Sequence, residues 1–379
     1  MNLVISFNIK LIINNLSIDM NTMFEYIKIA KMVHENINSI KLMCNYNSNN
    51  IRNNAMIKNT MVNSATRIKA SMMKNEEILN NVKILDLSYY DVDSLIPLMY
   101  LFNGLVEINL SQINGMVNLS HLSYLPHLKK IIVKHCNFII IDKMLTIEEL
   151  DVSHNKLIEL DVLNFFPCLK KLNISYCAYI NIGHNCVKFN TIIDLNISYT
   201  NLDMEIFKYF RCVERLNISG CDCILWCDFP QLCNLLDLIA TNLITFNFDV
   251  LSSMPLLINL NISQCGCIIW NDQCDIFIEY LNVSYTKYLN LSIISNMCEL
   301  KYLNMSHIDN VYSSPFHLSI VYVDISYSNI KDFDFLLNFY SLKKIQLSDD
   351  MRLKIPHISY IESYNIVSDM HTLHPHSGP

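Results

Sequence analysis

The amino-acid sequence predicts an α/β fold in which short parallel strands, one from each of many repeats, form a curved sheet, and helical or turn segments pack behind it. A nine-residue frame, represented by LKKLNISYC at 169–177, recurs through most of the 379 residues. Its copies begin 19 to 23 residues apart. Apolar and polar residues alternate within the frame, as expected for a strand with one buried face. Such a period indicates a solenoid, whose units bury apolar surface against their neighbours.

The frame occurs thirteen times. We number its positions one to nine; positions four and six are apolar in every copy, whereas five and seven are mostly polar. The weakest copy is LLDLIATNL at 235–243. The copies are 82–90, 105–113, 128–136, 147–155, 169–177, 192–200, 213–221, 235–243, 257–265, 278–286, 300–308, 320–328 and 342–350.

The spacing of the frames predicts parallel strands. Strands this far apart in sequence are not joined by tight hairpins, so a return segment must bring the chain back, and such crossovers are right-handed. The returns contain apolar clusters such as Leu95, Leu98 and Leu101, which predict short helices or 3₁₀ turns behind the sheet. Because these returns are bulkier than the closely spaced strands, we expect the sheet to lie on the concave side of an arc.

The frame predicts three regions: 1–79, 80–366 with the repeats, and 367–379. Apolar spacing at 23–43 and 56–79 predicts helices, so residues 1–79 are expected to form a helical N-terminal cap over the open end of the repeats. A small helical adaptor module is the alternative. The tail 367–379 is predicted to be disordered, and its three histidines are not assigned to a metal site.

The pattern LxxLxLxxNxL, with Asn or Cys at position nine, resembles the leucine-rich repeat family over 80–366. The resemblance implies a right-handed leucine-rich-repeat solenoid. The repeat length is similar to a shorter intracellular subclass, and the Cys usage to a cysteine-containing one. The Asn, Ile, Lys and Tyr content resembles proteins of AT-rich genomes, including poxvirus-like large DNA viruses.

Position nine is expected to be structural, because its side chain faces a buried corner where backbone groups need partners. We call the residues that fit, with Thr and Ser counted as substitutes, the position-nine ladder. They are Cys136, Asn155, Cys177, Thr200, Cys221, Cys265, Thr286 and Ser328.

Position eight supplies the candidate binding residues. Tyr offers amphipathic contact area and is enriched at interfaces, so we predict a protein-binding strip on the concave face. The alternative is that Ser and Asn side chains bond between repeats and the Tyr rings stack for stability. The predicted strip consists of Tyr89, His154, Tyr176, Tyr199, Tyr285, His307 and Tyr327.

Composition argues against several functions. The net charge of −7 disfavours a nucleic-acid partner. Six glycines leave no phosphate-binding loop, and no apolar run has the length of a membrane span. The Cys clusters at 221–227 and 265–274 share a Trp at the same offset, which favours duplication over a metal site. We therefore expect no cofactor, no metal, no small-molecule substrate and, because an active site is asymmetric whereas a repeat is not, no catalysis.

The fourteen cysteines favour a reducing compartment. Position-nine cysteines occur in alternate repeats, about 10 Å apart, which is beyond disulfide reach, and free thiols persist in reducing compartments. The N-terminus is a poor signal peptide. We expect a cytoplasmic protein, in the host-cell cytoplasm if viral.

The functional prediction is a non-catalytic protein-recognition scaffold. Two alternatives stay open. One is a substrate-recognition subunit of a ubiquitin ligase, with 1–79 as its docking module. The other is a structural or orphan repeat protein.

Overall fold

The structure is a computed structural model. It describes residues 3–6, 10–13, 82–88, 102–113, 116–136, 138–183, 186–201, 204–221, 224, 226, 229–269, 277–295, 297–312, 318–351 and 361–367. The chain divides into two compact units, Met1–Ile192 and Ile193–Pro379.

The first unit begins with strands rather than with a helix. Strand β1 (Leu3–Ser6) pairs antiparallel with β2 (Lys10–Ile13), which pairs antiparallel with β3 (Ile84–Asp86). The predicted cap therefore differs at its start: two short, mainly apolar strands extend the sheet, which gives its first repeat strand backbone partners. The predicted helices at 23–43 and 56–79, and with them the adaptor module, lie outside the described residues.

Each frame of the first unit carries one strand of a parallel sheet at positions three to five. Position four of every strand is aligned with position four of the next, from Leu85 paired with Ile108 to Leu150 paired with Leu172. After β3, these strands are β4 (Glu107–Asn109), β6 (Lys130–Ile132), β8 (Glu149–Asp151) and β10 (Lys171–Asn173). Between them lie β5 (Met116–Asn118), β7 (Phe138–Ile140), β9 (Leu157–Glu159) and β11 (Tyr179–Asn181).

The second unit repeats this arrangement. Its frame strands pair in parallel and in register. They are β12 (Asp194–Asn196), β13 (Arg215–Asn217), β14 (Asp237–Ile239), β16 (Asn259–Asn261), β18 (Tyr280–Asn282), β20 (Tyr302–Asn304), β22 (Tyr322–Asp324) and β23 (Lys344–Ser348). A last strand, β24 (Ser363–Val367), pairs in parallel with β23. It includes the first residue of the predicted tail, whose remainder lies outside the described residues.

The returns form a second set of short strands that the sequence patterns did not predict. In the first unit, β5 pairs in parallel with β7, and β9 with β11. In the second unit, β15 (Thr245–Asn247) pairs with β17 (Cys267–Ile269), and β19 (Tyr288–Asn290) with β21 (Asn310–Tyr312).

Helical segments of the returns are all 3₁₀ within the described residues, because each return is too short for a regular α-helix. Asn side chains cap three of them: Asn118, Asn247 and Asn290 each accept a bond from the backbone N–H two residues later. The segments are Leu119–Tyr124, Leu160–Phe165, Met204–Lys208, Phe248–Ser253, Leu291–Ile294, Asp334–Asn338 and Asp349–Met351.

Frame positions one, four and six fill the core. In the frame 213–221, for example, Val213, Leu216 and Ile218 are each at most 2% exposed. The predicted α/β leucine-rich-repeat solenoid, with one parallel strand per frame, is thus confirmed. In the part of the chain that the structure describes, no helix has the length and apolar character needed to cross a bilayer.

Candidate recognition surface

The end of each strand is shaped by a hydrogen bond from position seven to position five. In ten frames the Oδ1 atom of Asn or Asp at position five accepts a bond from the position-seven backbone N–H, with N···O distances of 2.9–3.1 Å. This is an Asx turn. The recurrent Asn and Asp therefore have a local structural role.

In two frames this bond is absent and another acceptor takes its place. Ile132 and Ile239 occupy position five and supply no acceptor. In their frames the position-seven N–H groups, of Lys134 and Thr241, donate instead to the Oγ atoms of Ser111 and Ser219 in the preceding repeats, at 3.0 and 3.2 Å. The Ser residues at position seven can thus link neighbouring repeats.

Position eight adopts the left-handed conformation after this turn. Its φ lies between 52° and 62° in ten frames with a side chain, and is 63° at Gly220. The ten residues are Gln112, His135, His154, Tyr176, Tyr199, Asn242, Gln264, Tyr285, His307 and Tyr327. The predicted strip therefore lies in the turn at the end of each strand, whereas positions three and five occupy the strand itself.

Most residues of the predicted strip form stacks. In the first unit, His154 lies between His135 and Tyr176, with ring centroids 4.7 and 4.5 Å apart. In the second unit, His307 lies between Tyr285 and Tyr327, at 4.1 and 5.0 Å. We call these two groups the position-eight stacks.

Tyr199 differs from the other strip residues in what it contacts. Its hydroxyl accepts a bond from the Asn242 Nδ2 atom at 3.4 Å, across Gly220. Tyr176, Tyr199, Tyr285 and Tyr327 remain 37–53% exposed, so that their outer surfaces are accessible. Tyr89 lies outside the described residues.

The structure places the whole position-nine ladder in the interior. Most of its side chains donate to a position-six carbonyl of the preceding repeat; Cys221 Sγ, for example, lies 3.2 Å from Ile197 O, and Ser328 Oγ lies 2.8 Å from Met305 O. Asn155 makes three bonds: Nδ2 donates to Val133 O and Val152 O, and Oδ1 accepts from Cys136 N at 2.6 Å.

Burial makes the thiols of this ladder poor nucleophiles. It raises the pKa of Cys177 and of Cys265 to about 11, and raises that of Cys136 as well. All ten cysteines in the described residues are free thiols. Within those residues no group of three or more His, Cys, Asp or Glu side chains is arranged to hold a metal ion.

The exposed strand face of the first unit is covered by ion pairs. Position three alternates in sign, and Lys130 pairs with Glu107 at 3.3 Å and Lys171 with Glu149 at 2.7 Å. Glu148, at position two, accepts from Lys170 and Lys129, and these bonds lower the pKa of its carboxyl to about 2. Charges paired in this way leave little net field.

The same face of the second unit forms an open groove of about 690 Å³ over strands β12 to β22. Its position-five residues are mainly Asn, from Asn217 to Asn304, and its position-three residues become tyrosines at Tyr280, Tyr302 and Tyr322. Among the described residues of the groove, the only ion pair joins Arg215 Nε to Asp194 Oδ2, at 3.1 Å.

Tyr280, Tyr302 and Tyr322, which we call the tyrosine column, were not among the residues that the sequence predicted for the binding strip. The Tyr280 and Tyr302 rings stack at 4.4 Å with an angle of 2°, and Tyr322 continues the column at 6.2 Å from Tyr302. Tyr280 and Tyr302 are 43% and 38% exposed. The sequence does show Tyr at position three of three consecutive frames. Tyr recurs in more frames at position eight, and the predicted strip was therefore placed there.

No family model matches the sequence, and a search of curated proteins gives no significant match. Solved structures that align with the chain include an internalin from Listeria monocytogenes, with 14% identity and a TM-score of 0.39 over 74% of this chain and 93% of that chain. The leucine-rich repeat domain of APL1B aligns with 12% identity and a TM-score of 0.43 over 79% of this chain and 97% of that chain.

TLR13, from a complex with ssRNA13, aligns with 15% identity and a TM-score of 0.42 over 76% of this chain and 52% of that chain. The chain thus spans about half of that protein. At these TM-scores the alignments carry no argument about function, which must come from the groove itself.

Proposed function

We propose that the protein is a non-catalytic recognition scaffold that binds a partner protein through the groove of the second unit. The observation that carries the proposal is the exposed tyrosine column within a groove lined by Asn side chains. Tyr combines a large apolar ring with a polar hydroxyl and contributes strongly to interface energies. The Oδ1 atoms of these Asn side chains accept the Asx-turn bonds, and their Nδ2 groups are donors that suit the carbonyl groups of a bound segment.

The position-eight stacks are a secondary part of this proposal. They lie beyond the ends of the frame strands, and their exposed Tyr rings offer contacts at the groove margin. Because stacking between repeats already accounts for these rings, we assign them the smaller contribution. A cytoplasmic location is proposed as well, supported by buried free thiols, which persist best in a reducing compartment.

The experiment is a comparison of matched tyrosine variants in the full chain. A partner is first captured with the wild-type protein, then purified, and its dissociation constant is measured by titration. Tyr302→Lys alters the groove, Tyr285→Lys alters a position-eight stack, and Tyr340→Lys alters an exposed ring outside the groove.

The proposal predicts that Tyr302→Lys weakens binding at least tenfold, about 1.4 kcal/mol, as expected for an interface hot spot. Tyr285→Lys should weaken it less, and Tyr340→Lys should leave it unchanged. Equal affinity of the wild type and Tyr302→Lys, with both proteins folded, would show that the groove is not the recognition site.

A further inference from the structure

The position-three residues of the second unit form a column whose chemistry changes along the groove. Strand pairing places the members of this column side by side, one on each strand. In order they are Asp194, Arg215, Asp237, Asn259, Tyr280, Tyr302 and Tyr322. Adjacent strands lie about 4.8 Å apart, so Asp237 and Tyr280, two strands apart, are separated by about 10 Å.

Tyr280 ends the tyrosine column on the side of the carboxylates. One face of its ring is stacked on Tyr302, and its neighbour on the other side is Asn259. The Asn259 Nδ2 atom donates to Asp237 Oδ1, so this side chain leans toward Asp237 and away from Tyr280. Tyr280 and Asp237 therefore line the same part of the groove, with the Asn259 side chain between them held by Asp237.

Asp237 forms no ion pair among the described residues, although Arg215 lies beside it on the adjacent strand. Asp194 is paired with Arg215, whereas the contact of Asp237 within the described residues is the neutral amide of Asn259. The exposed side chain of Ile239 lies on the same strand, 41% accessible. A carboxylate, an aromatic ring and an apolar side chain thus line one part of the groove.

This combination matches the arginine side chain. A guanidinium is planar and delocalised, so that it stacks on an aromatic face while its N–H groups bond to a carboxylate. Its methylene stem packs on apolar surface such as that of Ile239. Lysine lacks the planar group and would pair with Asp237 without stacking on the ring.

We propose that the groove takes an extended, arginine-bearing segment of a partner protein, with one guanidinium stacked on Tyr280 and paired with Asp237. This inference rests on the proposed recognition function and names the chemistry of the partner. An anionic polymer is disfavoured, because the carboxylates of Asp194, Asp237 and Asp324 lie along the same face and the chain carries a net charge of −7.

The test measures fluorescence anisotropy of short labelled peptides added to the full chain. The probe alternates Arg and Gly, and matched peptides carry Lys or Glu in place of Arg; an oligouridylate RNA is the fourth ligand. The inference predicts that the Arg peptide binds more tightly than the Lys peptide and that the Glu peptide and the RNA do not bind.

Variants then locate the bound guanidinium. Tyr280→Leu should weaken binding of the Arg peptide about two- to fivefold, the range of an exposed cation–π contact, whereas Tyr280→Phe keeps the ring and the affinity. Asp237→Asn should weaken it to a similar extent; its amide oxygen still accepts from Asn259, so the local fold is preserved. Tyr340→Leu, outside the groove, is the control.

Three results would overturn the inference: equal affinity for the Arg and Lys peptides, tighter binding of the Glu peptide or RNA, or no effect of Tyr280→Leu. They are separable from failure of the proposed function. If the Arg peptide fails but a purified partner still loses affinity on Tyr302→Lys, the arginine assignment is wrong and the recognition function stands. If Tyr302→Lys also has no effect, both are wrong.

Discussion

The buried side chains at position nine stabilise the turns between repeats. At position nine, a thiol, hydroxyl or amide is buried against carbonyl groups that no strand can satisfy, as in the bond from Cys265 Sγ to Ala240 O at 3.2 Å. A thiol is a weak donor, and an amide is a strong donor and acceptor. The cost of losing such a residue should therefore follow the number of its hydrogen bonds rather than its hydrophobicity.

Replacement of Asn155 by Leu tests this expectation. The change removes three hydrogen bonds, and an unsatisfied buried backbone group costs about 1–3 kcal/mol. We expect the free energy of unfolding, measured in urea, to fall by about 3 kcal/mol or more. Asn155→Cys, which introduces the residue that this position has in frames 128–136 and 169–177, should lose less. A Leu variant as stable as the wild type would contradict the role of the ladder.

The position-eight stacks give stability a pH dependence. Burial lowers the pKa of His307, and burial followed by repulsion from His135 and Lys134 lowers that of His154, from 6.5. Because the folded pKa lies below the unfolded one, the unfolded state binds protons first as the pH falls. The contribution of each neutral histidine is complete above pH 6.5 and is lost as the pH falls through the folded pKa.

The variant His154→Tyr, His307→Tyr removes these titrating groups and keeps aromatic rings. We expect its urea midpoint to fall less between pH 7.5 and pH 5 than that of the wild type. Identical pH dependence in the two proteins would show that the stacked histidines do not contribute.

At the scale of elements, the repeat is a strand, an Asx turn and a left-handed residue in fixed order. The turn explains why position eight tolerates Tyr, His, Gln and Asn at positive φ. In eight of these ten frames the position-five side chain accepts the hydrogen bond that shapes the turn. In the frames of His135 and Asn242 a Ser Oγ of the preceding repeat accepts it instead. Gly220 is the exception. An added Cβ would lie 2.4 Å from the ring of Tyr199, which crosses this repeat to reach Asn242.

Gly220→Ala is therefore expected to destabilise the protein by about 1–2 kcal/mol, from left-handed strain and contact with the ring. In a Tyr199→Ala background the contact is absent, so the same change should cost less. Urea unfolding of the wild type, the two single variants and the double variant gives the coupling free energy between Gly220 and Tyr199. An equal cost in both backgrounds would exclude the contact.

The frame strands and their parallel pairing could be predicted from the sequence. Period-two alternation in a repeat of 19 to 23 residues indicates one strand per repeat, paired in parallel with the next. The second row of strands, such as β15 and β17, could not be predicted, because three-residue segments like Thr245–Asn247 have no periodicity of their own. The location of position eight was also missed: Asn and Ser at positions five and seven look like strand residues, whereas their hydrogen bond ends the strand.

At the scale of the whole molecule, two units use one frame for different surfaces. In the first unit the exposed strand positions are neutralised by ion pairs such as Lys171 with Glu149. In the second unit they are mainly amides and tyrosines, beside the single Asp194–Arg215 ion pair, and Asp237 forms no ion pair among the described residues. The groove proposed as the recognition surface could not be predicted from the frame alone, because position three varies from repeat to repeat and only the strand register shows which residues are neighbours.

Thiol labelling tests the solenoid as a whole. With a neutral maleimide at pH 8, we expect rapid reaction at the exposed Cys168, Cys233, Cys267 and Cys298 and slow reaction at the four buried position-nine cysteines. In urea all should react, because burial is what raises the pKa of these thiols. Rapid native labelling of Cys177 or Cys265 would contradict the buried ladder.

Site-specific photo-crosslinking can locate the partner on the proposed tyrosine column. A photoreactive phenylalanine is placed in turn at 302, 285 and 340, and the purified partner is added. We expect a strong crosslink from 302, a weaker one from 285 and none from 340. A crosslink from 285 or 340 without one from 302 would place the recognition site outside the groove.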